Sequence, residues 1–125
     1  MKKVALIAHD EKKKDMVIFA CNHMEQLKNM PLVATETTGT LLAKAITGLN
    51  IDKVASGPMG GDAQISAMIV EGKIEAVIFF IDPLSSHPHD PDIHGLLRIC
   101  MVYNIPIALN EASANILFQS LITKT

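Results

Sequence analysis

A repeated alternation between short apolar runs and longer helical segments most constrains the fold of this chain. Residues 4–8, 32–35 and 76–81 are continuous apolar runs, typical of strands buried on both faces, and weaker strands are predicted at 54–56 and 106–109. Helices are predicted between and after them, at about 11–29, 37–48, 62–72, 93–103 and 112–122. This order predicts an α/β fold: a single domain over residues 1–125 with a doubly wound, five-stranded parallel sheet and helices on both faces.

Composition narrows the class of protein further. The chain has 125 residues, 49% of them apolar, which suits one buried core. Its net charge of −2 gives no electrostatic footprint for nucleic acid, and no apolar stretch reaches the length of a membrane helix. Cys21 and Cys100 lack metal-type spacing, and the first apolar run is too short for a signal peptide. We therefore expect a cytoplasmic protein with reduced thiols and no membrane or nucleic-acid partner.

Unusual polar residues follow the predicted strands. In a parallel sheet the carboxyl ends of the strands share one edge, where ligands bind. The polar segments at that edge are His9-Asp10, residues 35–38, residues 56–62, residues 82–92 and Asn110. Lys13, shortly after His9-Asp10, adds a possible cation to the same edge, although it could also be ordinary helix surface.

Two of these segments suit an anionic ligand. Thr35, Thr37 and Thr38 surround the start of a predicted helix, where hydroxyl and N–H groups bind phosphate or simply cap the helix, with Thr37 or Thr38 as the expected cap. In the turn from Ser56 to Asp62, three glycines allow a ligand to approach the backbone closely. This turn alone leaves Asp62 equally well explained as a helix cap or as a catalytic carboxylate.

The loop at 82–92 carries carboxylates and histidines, with His94 just beyond it. A metal site is one interpretation, but the spacing of the histidines matches known ligand sets poorly and prolines stiffen the loop. The interpretation that we favour makes His89 a group that polarises a carbonyl or carries a proton, near paired carboxylates.

Together the motifs resemble those of the methylglyoxal synthase family. The resemblance runs from about residue 3 to residue 118 in order, through Ala8-His9-Asp10, the threonine segment 34–39, Ser-Gly-Pro-Met-Gly-Gly-Asp at 56–62, Phe-Phe-x-Asp-Pro-Leu at 79–84, Pro-His-Asp-Pro-Asp at 88–92 and Asn-Ile-Pro at 104–106. The resemblance implies conversion of dihydroxyacetone phosphate to methylglyoxal and inorganic phosphate, without metal or organic cofactor, in a homohexamer.

The resemblance also implies residue roles. Asp62 would be the general base, with His89 at the carbonyl and Asp82 and Asp92 supporting proton transfer. The substrate, chiefly its phosphate, would be held by His9, Lys13, Thr35, Thr37, Thr38, Ser56 and Gly57, with His89 also in contact.

Glu36 departs from the family pattern, which usually has glycine at this position in the phosphate loop. A carboxylate pointing inward would repel phosphate, and a positive φ there would strain any residue with a side chain; a side chain turned outward would cost little. The departure supports an alternative function, a phosphometabolite-sensing module of the same fold without catalysis. A metal-dependent hydrolase built on His87 to His94 is a third hypothesis.

Overall fold

The computed structural model describes residues 2–84 and 90–123. It contains five strands: β1 (Lys3–Ala8), β2 (Leu32–Thr35), β3 (Ile51–Val54), β4 (Ile74–Phe80) and β5 (Ile107–Ala108). The helices are α1 (Lys13–Asn22), α2 (Met24–Leu27), α3 (Glu36–Ala45), α4 (Gly61–Val70), α5 (Asp90–Val102) and α6 (Glu111–Ile122). Two short 3₁₀ turns, Asp10–Lys12 and Gly57–Met59, precede α1 and α4.

The strands form one parallel sheet in the order β3-β2-β1-β4-β5. The predicted doubly wound fold is therefore confirmed. The longest ladder joins the two central strands, with Ala5 opposite Val77 and Ile7 opposite Phe79. The strand order reverses between β1 and β4, which is where doubly wound proteins open a ligand crevice.

Side chains of successive strand residues supply two cores, one on each face of the sheet. In β1, Leu6 faces a core with Phe19 of α1 and Phe118 of α6. The next residue, Ile7, faces a second core with Ile65 of α4 and other side chains of α4 and α5. Because both faces are covered, residues 4–8 of β1 and residues 76–80 of β4 are all apolar, which is why they form continuous apolar runs in the sequence.

The edge strand β3 differs from its prediction at 54–56. It covers Ile51–Val54, and its pattern is half-buried at the ends with Asp52 and Lys53 exposed in the middle. An edge strand that is only half-buried needs no continuous apolar run, so the polar pair hid this strand in the sequence pattern.

The long helix predicted at 11–29 is also corrected. The chain forms a 3₁₀ turn, then α1, and breaks at His23 before α2. His23 is half-buried, and its ring lies 4.7 Å from those of both Phe19 and Phe118. A contact with α6, far along the chain, accompanies the break, and no local pattern encodes it.

The remaining element ends move by a few residues. Helix α3 ends at Ala45 rather than at Gly48, and α5 begins at Asp90, before the predicted residue 93. Both cysteines are free: Cys100 is buried in α5 and Cys21 is half-buried in α1. In the part of the chain that the structure describes, no helix has both the length and the apolar character to cross a bilayer.

Candidate active site

A cavity of about 280 Å³ opens at the carboxyl edge of the sheet. This volume lies near the lower end of ligand pockets, which suits a small metabolite. Among the described residues, the cavity is lined by Ile7, Ala8, His9, Asp10, Lys13, Thr35, Thr37, Ser56, Gly57, Pro58, Asp62 and Phe79. Seven of the predicted site residues (His9, Lys13, Thr35, Thr37, Ser56, Gly57 and Asp62) therefore meet in one place.

Asp62 is the second residue of α4, and it is 1% exposed while lining the cavity. Its prediction as the helix cap is wrong, because the N-cap is Gly60, with φ of 104° in the left-handed region that glycine tolerates. Being in the first turn, the Asp62 carboxylate lies near the positive end of the helix dipole, which stabilises a negative charge.

The turn before Asp62 is held by its own backbone. The N–H groups of Met59 and Gly61 both donate to the carbonyl oxygen of Ser56, at 3.0 and 2.9 Å, and Gly60 N–H donates to Gly57 at 3.0 Å. These bonds fold residues 56–61 into a compact hook, so Ser56 and Gly57 reach the same cavity as Asp62.

The end of β2 and the start of α3 form another part of the cavity wall. Thr35, at the end of β2, is the N-cap residue rather than Thr37 or Thr38, and it makes no side-chain cap bond. Thr35 and Thr37 line the cavity, whereas the buried Thr38 does not and lies 3.5 Å from Thr35, hydroxyl to hydroxyl. The unpaired N–H groups that begin any helix, added to these hydroxyls, can bind an anion.

Glu36 does not interfere with this wall. It is the first residue of α3, so its backbone is helical and carries no positive-φ strain. Its side chain is exposed and is not among the groups that line the cavity. Of the two outcomes expected for this departure, the structure shows the outward one.

Lys13 brings a cation to the cavity in a fixed position. Its ammonium group donates to the backbone carbonyl of Ala8 at 2.9 Å and to Asp10 Oδ1 at 2.8 Å. The Asp10 side chain is 93% exposed, so this ion pair adds little stability. Its effect is to orient the ammonium group beside the end of β1. Asp10 also lines the cavity. Its spacing of three residues from Lys13 is the sequence pattern that indicates an ion pair between the two side chains.

His9 is buried at the end of β1, with its ring edge-on to Phe79 at 5.2 Å. Its Nδ1 accepts a hydrogen bond of 2.9 Å from the backbone N–H of Asp82. Because an amide N–H only donates, Nδ1 carries a lone pair, and the proton of the neutral ring is on Nε2.

Asp82 itself does not line the cavity. It is buried, and its Oδ1 accepts from the backbone N–H of Leu84 at 3.0 Å while its own N–H fixes His9. These contacts form the beginning of the loop that follows β4. The catalytic part predicted for Asp82 stays a prediction.

Two further predicted residues are not described. His89 lies outside the described residues, as does His87 of the metal hypothesis, and the side chain of Asp92, in the first turn of α5, is likewise outside them. His94 is exposed on α5. Among the side chains that the structure describes, no group of three or more from histidine, cysteine or acidic residues lies close enough together to hold a metal ion.

The fold and the cavity define a class: a doubly wound α/β domain with a small, polar ligand site at the carboxyl edge of its sheet. The family model of the MGS-like domain matches residues 15–109. Methylglyoxal synthase from Brucella ovis is 56% identical over 119 residues, 95% of each chain, and that from Brucella anthropi is 55% identical over the same share. The crystal structure of methylglyoxal synthase from Elizabethkingia anophelis is 42% identical, with a TM-score of 0.85, covering 93% of this chain and 76% of that one. The chain belongs to the methylglyoxal synthase family.

Proposed function

We propose that this protein converts dihydroxyacetone phosphate to methylglyoxal and inorganic phosphate, as a carbon–oxygen lyase acting on phosphates. The observation that carries the proposal is the meeting of a buried carboxylate, Asp62, with the anion-binding groups of Thr35, Ser56 and Lys13 in one small cavity. Such a cavity can hold a phosphate at one end and a proton acceptor at the other. The relatives named methylglyoxal synthase, 55–56% identical over almost the whole chain, support the same reaction.

The phosphate would lie between the start of α3, the turn that follows β3, and Lys13. Thr35 and Thr37 offer hydroxyls and helix N–H groups from α3, and Ser56 and Gly57 offer the same types of group from the turn after β3. The Lys13 ammonium, already oriented by Ala8 and Asp10, balances part of the phosphate charge. Thr38 would not contact the phosphate itself but would orient the hydroxyl group of Thr35 through their contact.

Asp62 would begin the reaction as the general base. It takes a proton from the hydroxymethyl carbon, and the electron pair of that C–H bond forms the enediolate with the carbonyl group. The negative charge that develops on the carbonyl oxygen needs a hydrogen-bond donor. His9, with its proton on Nε2, and His89 are the donors that we propose, with Asp92 and Asp82 supporting the proton transfers.

Elimination follows from the adjacent carbon. The O–H proton of the former hydroxymethyl carbon passes to the leaving phosphate, that carbon becomes the aldehyde carbonyl, and the C=C electrons shift toward the phosphate-bearing carbon, whose C–O bond breaks with its electron pair as inorganic phosphate leaves. The resulting enol takes up a proton at carbon and becomes methylglyoxal. The breaking C–O bond must lie roughly perpendicular to the enediolate plane for the orbitals to overlap, so the phosphate site sets a torsion angle as well as affinity.

The test compares wild type with Asp62→Asn in an assay of dihydroxyacetone phosphate that follows both products. We expect wild type to release methylglyoxal and phosphate in equal amounts and the variant to lose about 10²–10⁴-fold in kcat, the usual contribution of a general base. Titration with inorganic phosphate controls for binding, which the variant should retain. A wild-type protein that binds phosphate esters but releases neither product would instead be the sensing module, and full turnover by Asp62→Asn would refute the base.

We further propose that catalysis needs no metal or organic cofactor, and that the protein works as a cytoplasmic homohexamer. Exposed apolar side chains such as Met101, Val102, Tyr103 and Ile116 support association, because large exposed apolar groups tend to be covered by neighbours. Light scattering that gives a monomer mass at assay concentration would contradict the hexamer. Loss of activity on dialysis against a chelator, restored by one metal, would support the metal-dependent hydrolase instead.

A further inference from the structure

Gln64 of α4 makes a contact that links this helix to the chain just after β3. Its side-chain Oε1 accepts a hydrogen bond of 2.7 Å from the backbone N–H of Ala55. Ala55 follows the last residue of β3 and precedes Ser56, so it is the point where the chain leaves the sheet for the turn. Gln64 itself is exposed and does not line the cavity.

The other side of Ala55 is also held by α4. The Cα of Gly61 packs so closely on the Ala55 carbonyl that a Cβ there would overlap its oxygen, and Gly61 N–H donates to Ser56 at 2.9 Å. The strand exit is thus fixed to the first turn of α4 by backbone contacts at Gly61 and by one side chain, that of Gln64. Asp62 lies between these two attachment points on the same helix.

We propose that Gln64 is a positioning residue that fixes the separation between the Ser56–Gly57 turn and the carboxylate of Asp62. This inference rests on the proposed function, in which the turn holds the phosphate and Asp62 removes the proton. Because Gln64 and Asp62 belong to one helical turn, the bond to Ala55 makes the phosphate-binding turn and the base move as one unit.

The two chemical steps depend on this separation differently. Proton abstraction needs Asp62 near the hydroxymethyl carbon, whereas elimination also needs the phosphate held at the right torsion angle. When the turn is loosened, the enediolate returns to substrate by taking a proton back from Asp62. In D₂O the Asp62 carboxylic acid exchanges the abstracted proton for deuterium, so the carbon receives deuterium in place of the hydrogen it lost, the C–O bond stays intact and no phosphate is released.

The experiment measures this partition by NMR, as deuterium in the remaining dihydroxyacetone phosphate against phosphate released. Gln64→Leu removes the acceptor at similar size, and Gln64→Glu keeps an acceptor oxygen in the same place. We expect roughly a ten-fold fall in kcat for Gln64→Leu, a rise of similar size in the exchange-to-release ratio, and recovery of both in Gln64→Glu. Gln119→Leu, the same change at an exposed position in α6, should match wild type.

Gln64→Ala serves as a second variant, and circular dichroism checks that each protein is folded. An exchange ratio equal to wild type in folded Gln64→Leu or Gln64→Ala would overturn the inference, as would equal impairment of Gln64→Leu and Gln64→Glu. Wild-type protein that releases no phosphate would overturn the proposed function and this inference with it. An active wild type with an unchanged partition in the variants would overturn the inference alone.

Discussion

Gly61→Ala tests how closely the catalytic turn must pack. A Cβ at this position would overlap the carbonyl oxygen of Ala55 and would lie 2.9 Å from its carbonyl carbon. Since carbon atoms pack about 3.5–4.0 Å apart, α4 and the strand exit must separate by roughly 1 Å. The backbone φ at Gly61 is not in the left-handed region, so this overlap is the whole cost of the added methyl group.

This displacement would move the Asp62 carboxylate relative to the Ser56–Gly57 turn, and these groups contact the two ends of the proposed substrate. Misplacement by about 1 Å can cost on the order of 10²-fold in rate, so we expect kcat to fall about a hundred-fold. The assay is the release of methylglyoxal and phosphate, with thermal unfolding measured on the same preparations. Overpacking of this kind also costs about 1–3 kcal/mol of stability, which lowers the melting temperature without abolishing the fold.

Gly95→Ala is the matched control. Gly95 lies within α5, and a Cβ there would meet no atom of the described residues within 4 Å outside its own helix backbone. We expect unchanged turnover and a gain of about 0.5–1 kcal/mol, because alanine is the better helix former. If Gly61→Ala kept turnover within three-fold of wild type, the argument that this contact fixes the base would be refuted.

Two other changes have clear expectations. His9→Asn keeps an acceptor at the position of Nδ1, so it should keep the hydrogen bond from the Asp82 amide but lose turnover. His9→Gln lacks an acceptor at that position and should lose about 1 kcal/mol of stability. Equal melting temperatures for the two variants would contradict the assigned hydrogen bond. Burial raises the pKa of the Cys100 thiol from 9.0 to about 11, so the folded state keeps the proton that the unfolded chain releases. Stability from this group is therefore fully present below about pH 8 and falls by about 2 kcal/mol as the pH rises to 11. Chemical denaturation of wild type and Cys100→Ala across this range should show a smaller decline in the variant, and parallel curves would refute the assignment.

The sequence predicts the buried strands well because burial on both faces leaves a local mark. The prediction for β2, residues 32–35, agrees with Leu32–Thr35 in the structure. Partial burial leaves no such mark, so the edge strand β3 was placed three residues late. The break at His23 could not be predicted, because the rings that pack on it include Phe118 from the other end of the chain.

The cavity shows the same division between local and tertiary information. That polar residues follow the strands could be read directly, and seven predicted residues meet there. Which threonines face the cavity could not be predicted, because this depends on where α3 begins. With Thr35 as the N-cap, Thr37 faces the cavity, and Thr38, about a third of a helical turn further on, is buried in the protein. The contact of Gln64 was missed altogether, since an exposed glutamine in a helix is ordinarily solvated surface.

The order β3-β2-β1 has a consequence for ligand size. His9 and Ser56 come just after β1 and β3, and Thr35 is the last residue of β2 between them. Because neighbouring strands are about 4.8 Å apart, the backbone positions of these residues span roughly 10 Å across the sheet. That span is set by backbone hydrogen bonds, and no side-chain substitution can lengthen it. Substitutions at the cavity wall can therefore alter how tightly a ligand binds, whereas the spacing of the strands limits the length of the ligand that fits.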